Sequence, residues 1–242
     1  MWTYLLILLA GTALLVIFAR RAVLFSRKKN APKKKPDEAP KEKAVNAEKV
    51  GRKEAVEVGA LFQKGEALLK AGKEEEAIKL FVQALAINPA HLETQQKLAM
   101  LYMQKQMYAA ASALFRALAE QTKDPLHYSH LGLAMFQQSI FEEARDAYQK
   151  AVELDPTRPQ RFASLAQVYR KLGETQNAII ALNKALDIDS KNLEFLLLLG
   201  DLQVEVGNLE IASEIAAQVA EFDPENEALK DLVRAIKTTK KE

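Results

Sequence analysis

The 242-residue sequence contains no cysteine, only nine glycines and only three histidines. The lack of cysteine excludes a disulfide scaffold, thiol catalysis and cysteine-ligated zinc or iron–sulfur sites. So few glycines and histidines count against phosphate-loop enzymes and histidine-based catalysis. An excess of one charge is also lacking, because 34 basic and 32 acidic side chains give a net charge of +2. That balance argues against a dedicated nucleic-acid-binding protein.

The overall balance conceals three regions of different composition. Residues 1–19 carry no charged side chain, whereas residues 20–53 carry thirteen basic and four acidic ones, a net charge of +9. Residues 54–242 therefore have a net charge of −7. We interpret these regions separately, as an apolar segment, a basic segment and an acidic remainder.

The apolar segment predicts a transmembrane helix. Nineteen helical residues span about 28 Å, close to the thickness of a bilayer's hydrocarbon core. A cleaved signal peptide has its positive charge before the apolar run, but here Arg20 and Arg21 follow it. A buried soluble helix is the other alternative, and the segment lacks the amphipathic period of one. We expect residues 1–27 to form an anchor with a basic flank that stays cytoplasmic, so that the N-terminus lies outside.

The basic segment predicts a flexible linker over residues 28–45. Pro32, Pro36 and Pro40 recur among lysines, and proline and charge together favour an extended, solvated chain. Two roles remain open for the charges, namely a topology signal with a spacer, or contact with anionic lipid headgroups. The residues expected next to lipid are Arg20, Arg21, Arg27, Lys28 and Lys29.

From about residue 58 the sequence repeats with a period of 34, once shortened to 33. Small residues recur in two series, Gly65, Ala99, Gly132, Ala166 and Gly200, and Ala77, Ala111, Ala144, Ala178 and Ala212. A third series is mostly large and apolar, with Phe81, Phe115, Tyr148, Leu182 and Ala216. Prolines close the first, third and fifth repeats at Pro89, Pro156 and Pro224, and Pro125 closes the second about two residues late.

This pattern resembles the tetratricopeptide repeat, a 34-residue helix–turn–helix unit. The resemblance covers residues 58–226 and implies an all-α fold, a right-handed superhelix of five repeats with a C-terminal capping helix. We place glycines 72, 173 and 207 in the turns between helices, where a positive φ is easy for glycine. The repeat domain is predicted over 46–242, with repeats at 58–91, 92–124, 125–158, 159–192 and 193–226 and a cap at 227–240.

The resemblance also implies that the first helices of the repeats line a concave groove for a partner peptide. The residues at the groove positions are Gln96, Met100, Met103, Gln104, Ser129, Leu133, Phe136, Gln137, Ala163, Gln167, Arg170 and Lys171. Methionine is common on adaptable binding surfaces, although such residues can instead pack between helices. One branch of the family grips chain-terminal carboxylates with Lys and Asn. Those positions hold Phe62, Glu66, Lys97, Leu126 and His130, so this clamp is absent.

No catalytic or metal-binding motif is present in the sequence. His127 and His130 are three residues apart, but the sequence places no third ligand beside them. Paired carboxylates such as Glu142 and Glu143 fall at predicted helix starts, where they favour the helix dipole. We therefore expect no enzyme activity, no cofactor and no metal site.

Together these features predict a membrane-anchored adaptor or scaffold that binds a peptide or helix of a partner protein in its groove. A self-associating structural scaffold remains an alternative, with possible homo-oligomers. A regulatory subunit of a membrane enzyme, or of a translocation or envelope-assembly complex, is another. The layout is similar to that of bacterial inner-membrane repeat proteins, with anchored mitochondrial outer-membrane receptors as the alternative. No nucleic-acid partner is expected.

Overall fold

The computed structural model describes residues 41–240, with side chains from residue 51 onward. The predicted anchor over 1–27, its five lipid-proximal basic residues and most of the predicted linker lie outside the described residues. Within residues 41–240, no helix has both the length and the apolar character needed to cross a membrane.

Every regular element in the described range is an α-helix, so the predicted all-α class is confirmed there. The helices are α1 (Lys41–Lys70), α2 (Glu74–Ile87), α3 (Leu92–Gln104), α4 (Tyr108–Thr122), α5 (Pro125–Gln137), α6 (Phe141–Leu154), α7 (Pro159–Lys171), α8 (Thr175–Ile188), α9 (Leu193–Glu205), α10 (Leu209–Phe222) and α11 (Glu227–Thr239).

The described part of the chain divides into two compact units, with the boundary between Lys105 and Gln106. In the described range the first unit holds α1 to α3, with α1 packed on α2 and α2 on α3. The second unit holds α4 to α11, in which each helix packs on the next along the chain. The boundary falls in the turn after α3, inside the predicted second repeat.

In the first and third helix pairs, a glycine on the first helix faces a large aromatic side chain on the second. A Cβ added at Gly132 of α5 would lie 2.8 Å from Cδ2 of Tyr148 on α6, closer than two carbon atoms can approach. Tyr148 is itself buried. The small-residue series therefore allows the two helix axes to come close together, as the sequence predicted.

The turns between paired helices place one residue at positive φ. Gly72, Gly173 and Gly207 have φ values of 73°, 75° and 79°, which confirms their predicted turn positions. The corresponding turns of the second and third repeats have Gln106 at φ 58° and Ser139 at φ 60°. The same backbone geometry is therefore imposed on residues that carry a Cβ.

The connection between the second and third repeats corrects the prediction for Pro125. Instead of closing the second repeat, Pro125 is the first residue of α5, a position where the missing N–H is not needed. Lys123 closes α4 in the left-handed conformation, and the Asp124 side chain caps α5 by accepting a hydrogen bond from Leu126 N at 2.8 Å. This tighter connection accounts for the 33-residue spacing.

Helices α1 and α11 lie at the two ends of the repeat array. Helix α1 begins at Lys41, so it overlaps the last residues of the predicted linker 28–45 and continues through Gly51. No proline occurs between Lys41 and Pro89 to interrupt the helix. At the other end, α11 packs on α9 and α10 and buries Leu229, Leu232 and Ile236.

Candidate functional site

Helices α1 and α3 form a groove of about 710 Å³ in the first unit, which we call the N-terminal groove. Its lining mixes apolar, amide and charged side chains: Phe62, Gln63, Glu66, Leu69, Glu93, Gln96, Lys97, Met100, Leu101 and Gln104. Met100 is 39% exposed, a large value for a thioether side chain in the middle of a helix. The groove therefore offers apolar surface to solvent between polar rims.

One ion pair crosses the N-terminal groove. Lys97 Nζ lies 3.3 Å from Glu66 Oε1. That oxygen is buried and has no hydrogen-bond partner, so the lysine contact balances its charge without hydrogen-bond geometry. The Phe62 ring lies against Phe81, with ring centroids 5.7 Å apart, and against His91 at 5.8 Å. These ring contacts fix the wall of the groove.

A second groove, of about 600 Å³, lies along α5 and α7 in the second unit, and we call it the C-terminal groove. Its lining residues are Asp124, Pro125, Leu126, Ser129, His130, Leu133, Tyr148, Asp155, Arg158, Gln160, Arg161 and Ser164. Leu126 and Leu133, two turns apart on α5, are 44% and 37% exposed. Apolar surface thus runs along the α5 side, while the charged residues cluster where α5 and α7 begin.

Arg161 is held in place by neighbours within the C-terminal groove. Its Nη1 lies 2.5 Å from Asp155 Oδ2 and donates a hydrogen bond to the Asp155 carbonyl at 2.8 Å. Its Nε donates to Ser129 Oγ at 3.3 Å. Asp155 in turn accepts from the hydroxyl and backbone N–H of Thr157, and with Arg161 these bonds hold its pKa well below the ordinary range. Both side chains are therefore engaged by neighbours within the groove.

His130 and Tyr148 supply neutral polar surface. Burial lowers the pKa of His130, the nearby His127 lowers it further, and Asp124 opposes both. The imidazole stacks on Phe115, with centroids 5.0 Å apart. Burial raises the pKa of Tyr148 to about 12, against a smaller opposing effect of a hydrogen bond with Ser164. Both side chains are therefore uncharged at neutral pH.

The structure brings together only part of the predicted groove set. Gln96, Met100 and Gln104 line the N-terminal groove, and Ser129 and Leu133 line the C-terminal groove. Gln137 and Gln167 are exposed on α5 and α7, and Lys171 is exposed at the end of α7, all outside both grooves. Met103 is half-buried outside them.

Three predicted residues have other contacts. The ring of Phe136 packs edge-on against Phe141, with centroids 5.5 Å apart. Arg170 pairs with Glu205, its Nη2 lying 2.5 Å from Oε1. Ala163 was predicted to face the groove, but it is 6% exposed, because the start of α7 is packed inward at that residue.

The groove-lining residues that the prediction missed include five that lie at the positions compared with the carboxylate clamp. Phe62, Glu66, Lys97, Leu126 and His130 occupy the positions at which a carboxylate clamp was sought and not found. All five line one of the two grooves. The clamp positions of the family could therefore have identified these groove residues from the sequence, although the side chains present differ in chemistry from those of the clamp.

The histidine pair of α5 has structural contacts. His127 is buried, and its Nδ1 lies 2.9 Å from Thr122 Oγ1. His130 faces Phe115 instead. In the part of the chain that the structure describes, no group of three His, Asp or Glu side chains is arranged to hold a metal ion.

Comparison with known proteins places most of the described chain in one family. The sequence profile named Tetratricopeptide repeat matches residues 68–132 and 170–236, and a second profile, TPR repeat, matches residues 132–173. BBSome complex member BBS4 of Bos taurus is 29% identical over 153 residues, which cover 63% of this chain and 29% of that protein. Hsp70-Hsp90 organizing protein 1 of Glycine max is 26% identical over 179 residues, 72% of this chain and 30% of that protein. The chain thus spans less than a third of the length of either relative.

Two solved structures are covered more completely. The crystal structure of MamA has a TM-score of 0.62 and 25% identity, over 65% of this chain and 92% of that one. YrrB, described as a TPR protein with an unusual peptide-binding site, has a TM-score of 0.65 and 16% identity, over 72% of this chain and 90% of that one. The likeness to YrrB shows the fold alone.

Proposed function

The chain belongs to the tetratricopeptide repeat family, and on that premise we propose that it is a membrane-anchored adaptor that binds a peptide or helix of a partner protein in its grooves. The observation that carries this proposal is the exposure of Met100 and Leu133, at 39% and 37%, on the floors of the two grooves. Exposed apolar surface between polar rims is typical of protein-binding sites.

We propose a non-enzymatic role because three carboxylates of the grooves, those of Asp124, Asp155 and Glu66, are engaged in holding the fold. Asp155 is bound to Thr157 and Arg161, and Asp124 caps α5. Glu66 is paired with Lys97. These contacts leave the carboxylates poorly placed to exchange protons with a substrate. Binding, in contrast, needs only shape, apolar contact and free polar rims.

The membrane half of the proposal is supported by the sequence of the first 53 residues. The uncharged run over 1–19 is long enough to span a bilayer, and the net charge of +9 over 20–53 favours a cytoplasmic position for everything that follows. The grooves would then face the cytosol, most simply at a bacterial inner membrane. A partner would be recruited to that surface by its peptide.

The groove half is tested by replacing the exposed apolar residues while leaving the fold intact. A photo-crosslinking amino acid at Gln96 or at Gln160 is expected to capture a partner in cells, and Met100→Gln with Leu133→Gln is expected to abolish that capture. Ile180→Gln is the matched control, because Ile180 is 55% exposed outside both grooves. Equal capture by the double variant, with an unchanged circular dichroism spectrum, would contradict the groove assignment.

The anchor is tested separately, by extracting membranes with alkaline carbonate. Full-length protein is expected to stay in the membrane pellet, and a variant with Leu8→Arg and Leu14→Arg is expected to move to the supernatant. Protease added outside spheroplasts is expected to leave the repeat domain whole. Digestion of that domain under those conditions would reverse the proposed topology.

A self-associating scaffold is the second candidate, and one observation favours it. The last residues of α6, α8 and α10, Leu154, Ile188 and Phe222, are 42%, 45% and 50% exposed at intervals of 34 residues. Light scattering at increasing protein concentration separates the candidates. A rise in mass that Leu154→Lys and Phe222→Lys prevent would favour self-association.

A further inference from the structure

Arg158 differs from the other charged residues of the C-terminal groove. Asp155 and Arg161 are paired with each other, and Asp124 accepts a hydrogen bond from the backbone of α5. Arg158 is exposed at the residue before α7 and lines the groove. Among the described residues it has neither an ion-pair partner nor a hydrogen-bond acceptor for its guanidinium. The groove therefore holds one uncommitted positive charge.

The start of α7 adds to this positive potential. No side chain caps α7, and its first turn contains no acidic residue, so its N-terminal dipole is not offset by a residue of its own. Helix α5, which lines the other side of the groove, is capped by Asp124. A ligand carboxylate near Arg158 would thus meet a free guanidinium beside the start of α7.

The apolar part of the groove lies further along α5. Leu126 marks the Arg158 end of the groove, because Arg161 contacts Ser129 and because Arg158 and Leu126 each lie three residues before that contact. Leu133 is seven residues beyond Leu126, or about 10 Å at the helical rise of 1.5 Å per residue. An extended peptide covers about 10 Å in three residues. Side chains three residues apart in an extended segment point to opposite faces, and Arg158 and Leu133 lie on opposite sides of the groove. A carboxylate at the Arg158 end would therefore place the side chain three residues away against Leu133.

We infer that the C-terminal groove binds an extended segment of a partner protein in which an Asp or Glu side chain pairs with Arg158 and an apolar side chain about three residues away covers Leu133. This inference rests on the proposed peptide-binding function and specifies its ligand. The acidic group belongs to a side chain within the segment, because among the described lining residues the only cation without a partner is a single guanidinium. Arg161, which could have completed a grip on a chain terminus, is bound to Asp155 and Ser129.

The first test selects ligands without assuming them. Full-length protein in nanodiscs is the bait for a phage-displayed random dodecapeptide library, and enriched peptides are then synthesised with a fluorescent label. Enrichment of an acidic residue three positions from an apolar one is the expected result. Fluorescence anisotropy is expected to show that replacing the acidic residue with its amide weakens binding by about tenfold, because a charge-assisted hydrogen bond is lost.

Variants of Arg158 connect that preference to the groove. Arg158→Glu is expected to remove the preference for the acidic over the amide peptide, and Arg158→Lys is expected to retain part of it. Arg116→Glu is the matched control, since Arg116 is an exposed arginine on α4 outside the groove. Raising the salt concentration is expected to weaken binding of the acidic peptide more than that of the amide peptide.

The outcomes separate this inference from the proposed function. Equal binding of the acidic and amide peptides, together with loss of binding in Leu133→Gln, would overturn the role of Arg158 and leave the groove as a binding site. Binding that requires a free rather than an amidated peptide C-terminus would assign the carboxylate to a chain end and overturn the inference. Selected peptides that bind unchanged to both Leu133→Gln and Met100→Gln would overturn the inference and the proposed function together.

Discussion

Gly65 and Phe81 occupy the same space in the first helix pair, such that a Cβ on residue 65 would lie 2.5 Å from Cε1 of the phenylalanine ring. Phe81 is completely buried, so its ring has no empty volume to turn into. In the fourth repeat the same two positions hold Ala166 and Leu182, a larger residue opposite a smaller one. The two positions are therefore coupled, and neither can be changed without a response from the other.

We expect Gly65→Ala to lower the free energy of unfolding by about 1–3 kcal/mol, the usual cost of overpacking a filled core. The double variant Gly65→Ala with Phe81→Leu reproduces the pair of the fourth repeat. Its loss of stability is expected to be smaller than the sum of the two single losses by about 1 kcal/mol, as measured by urea unfolding.

Gly59→Ala provides the control for this cycle. Gly59 lies in the same helix, and a Cβ there would meet nothing within 4 Å. Alanine has the higher helix propensity, so Gly59→Ala is expected to raise stability by up to about 1 kcal/mol. Strict additivity of the Gly65 and Phe81 substitutions would contradict the coupling.

The turn residues give a second prediction. Ser139 has a Cβ and a φ of 60°, a conformation that glycine adopts with much less strain. Ser139→Gly is therefore expected to raise the free energy of unfolding by about 0.5–1 kcal/mol. Gly173→Ala, at φ 75°, is expected to lower it by at least as much. Arg116→Gly, in the middle of α4, is the control and is expected to lower stability by about 1 kcal/mol.

The same turns show why the sequence predicted the repeats better than their details. The 34-residue period was visible because the spacing of Gly65, Ala77 and Phe81 recurs in each unit. Gly72, Gly173 and Gly207 were recognised as turn residues from their type. Gln106 and Ser139 were not, because the positive φ there follows from the geometry of the flanking helices rather than from the residue itself.

The groove was harder to predict for a related reason. The family positions indicated which helix faces to examine, and Met100 and Leu133 do lie there. Whether a charged residue is available to a ligand depends on its neighbours, and these come from the next helix. Arg161 is engaged because the loop after α6 brings Asp155 to it, whereas Arg158, three residues earlier, has no such neighbour among the residues that the structure describes.

His130 gives a pH-dependent prediction. Its pKa is lowered in the folded protein, so the folded state takes up a proton less readily than the unfolded state. The stability that follows from this is complete above the ordinary histidine pKa of about 6.5 and is lost as the pH falls through and below that value. His130→Gln is expected to reduce this loss between about pH 7 and 5. An NMR titration of the imidazole carbon proton, with a midpoint at or above 6.5, would contradict it.

Asp155 acts in a lower pH range. Its pKa is lowered first by the Thr157 hydroxyl and then by Arg161, so its contribution is present above the ordinary carboxyl pKa of about 4 and is lost below it. We expect Asp155→Asn to lower the melting temperature at pH 7 and to lower it by less near pH 2.5, where part of the contribution has been lost. Thermal unfolding at the two pH values measures this difference. An equal effect at both would show that the residue acts through shape rather than charge.

The capping helix supplies the last prediction. The fifth repeat has only Ala216 where Phe81 and Tyr148 stand in other repeats, and Leu232 of α11 fills the volume over Gly200 instead. A Cβ on Gly200 would lie 2.5 Å from Cδ2 of Leu232. Leu232→Ala is therefore expected to lower stability by about 2–5 kcal/mol, because it leaves a cavity under a fully buried side chain.

Combining substitutions at Gly200 and Leu232 tests the contact between them more directly than Leu232→Ala alone. In the wild-type background, Gly200→Ala is expected to destabilise, because its methyl group meets Leu232. In the Leu232→Ala background the methyl group has room, so the same substitution is expected to stabilise by up to about 1 kcal/mol through helix propensity. The rate of amide hydrogen exchange in α9 and α11 is expected to rise in the background where Gly200→Ala destabilises and to fall in the background where it stabilises. If Gly200→Ala had the same sign in both backgrounds, the cap would not be acting through its contact with Gly200.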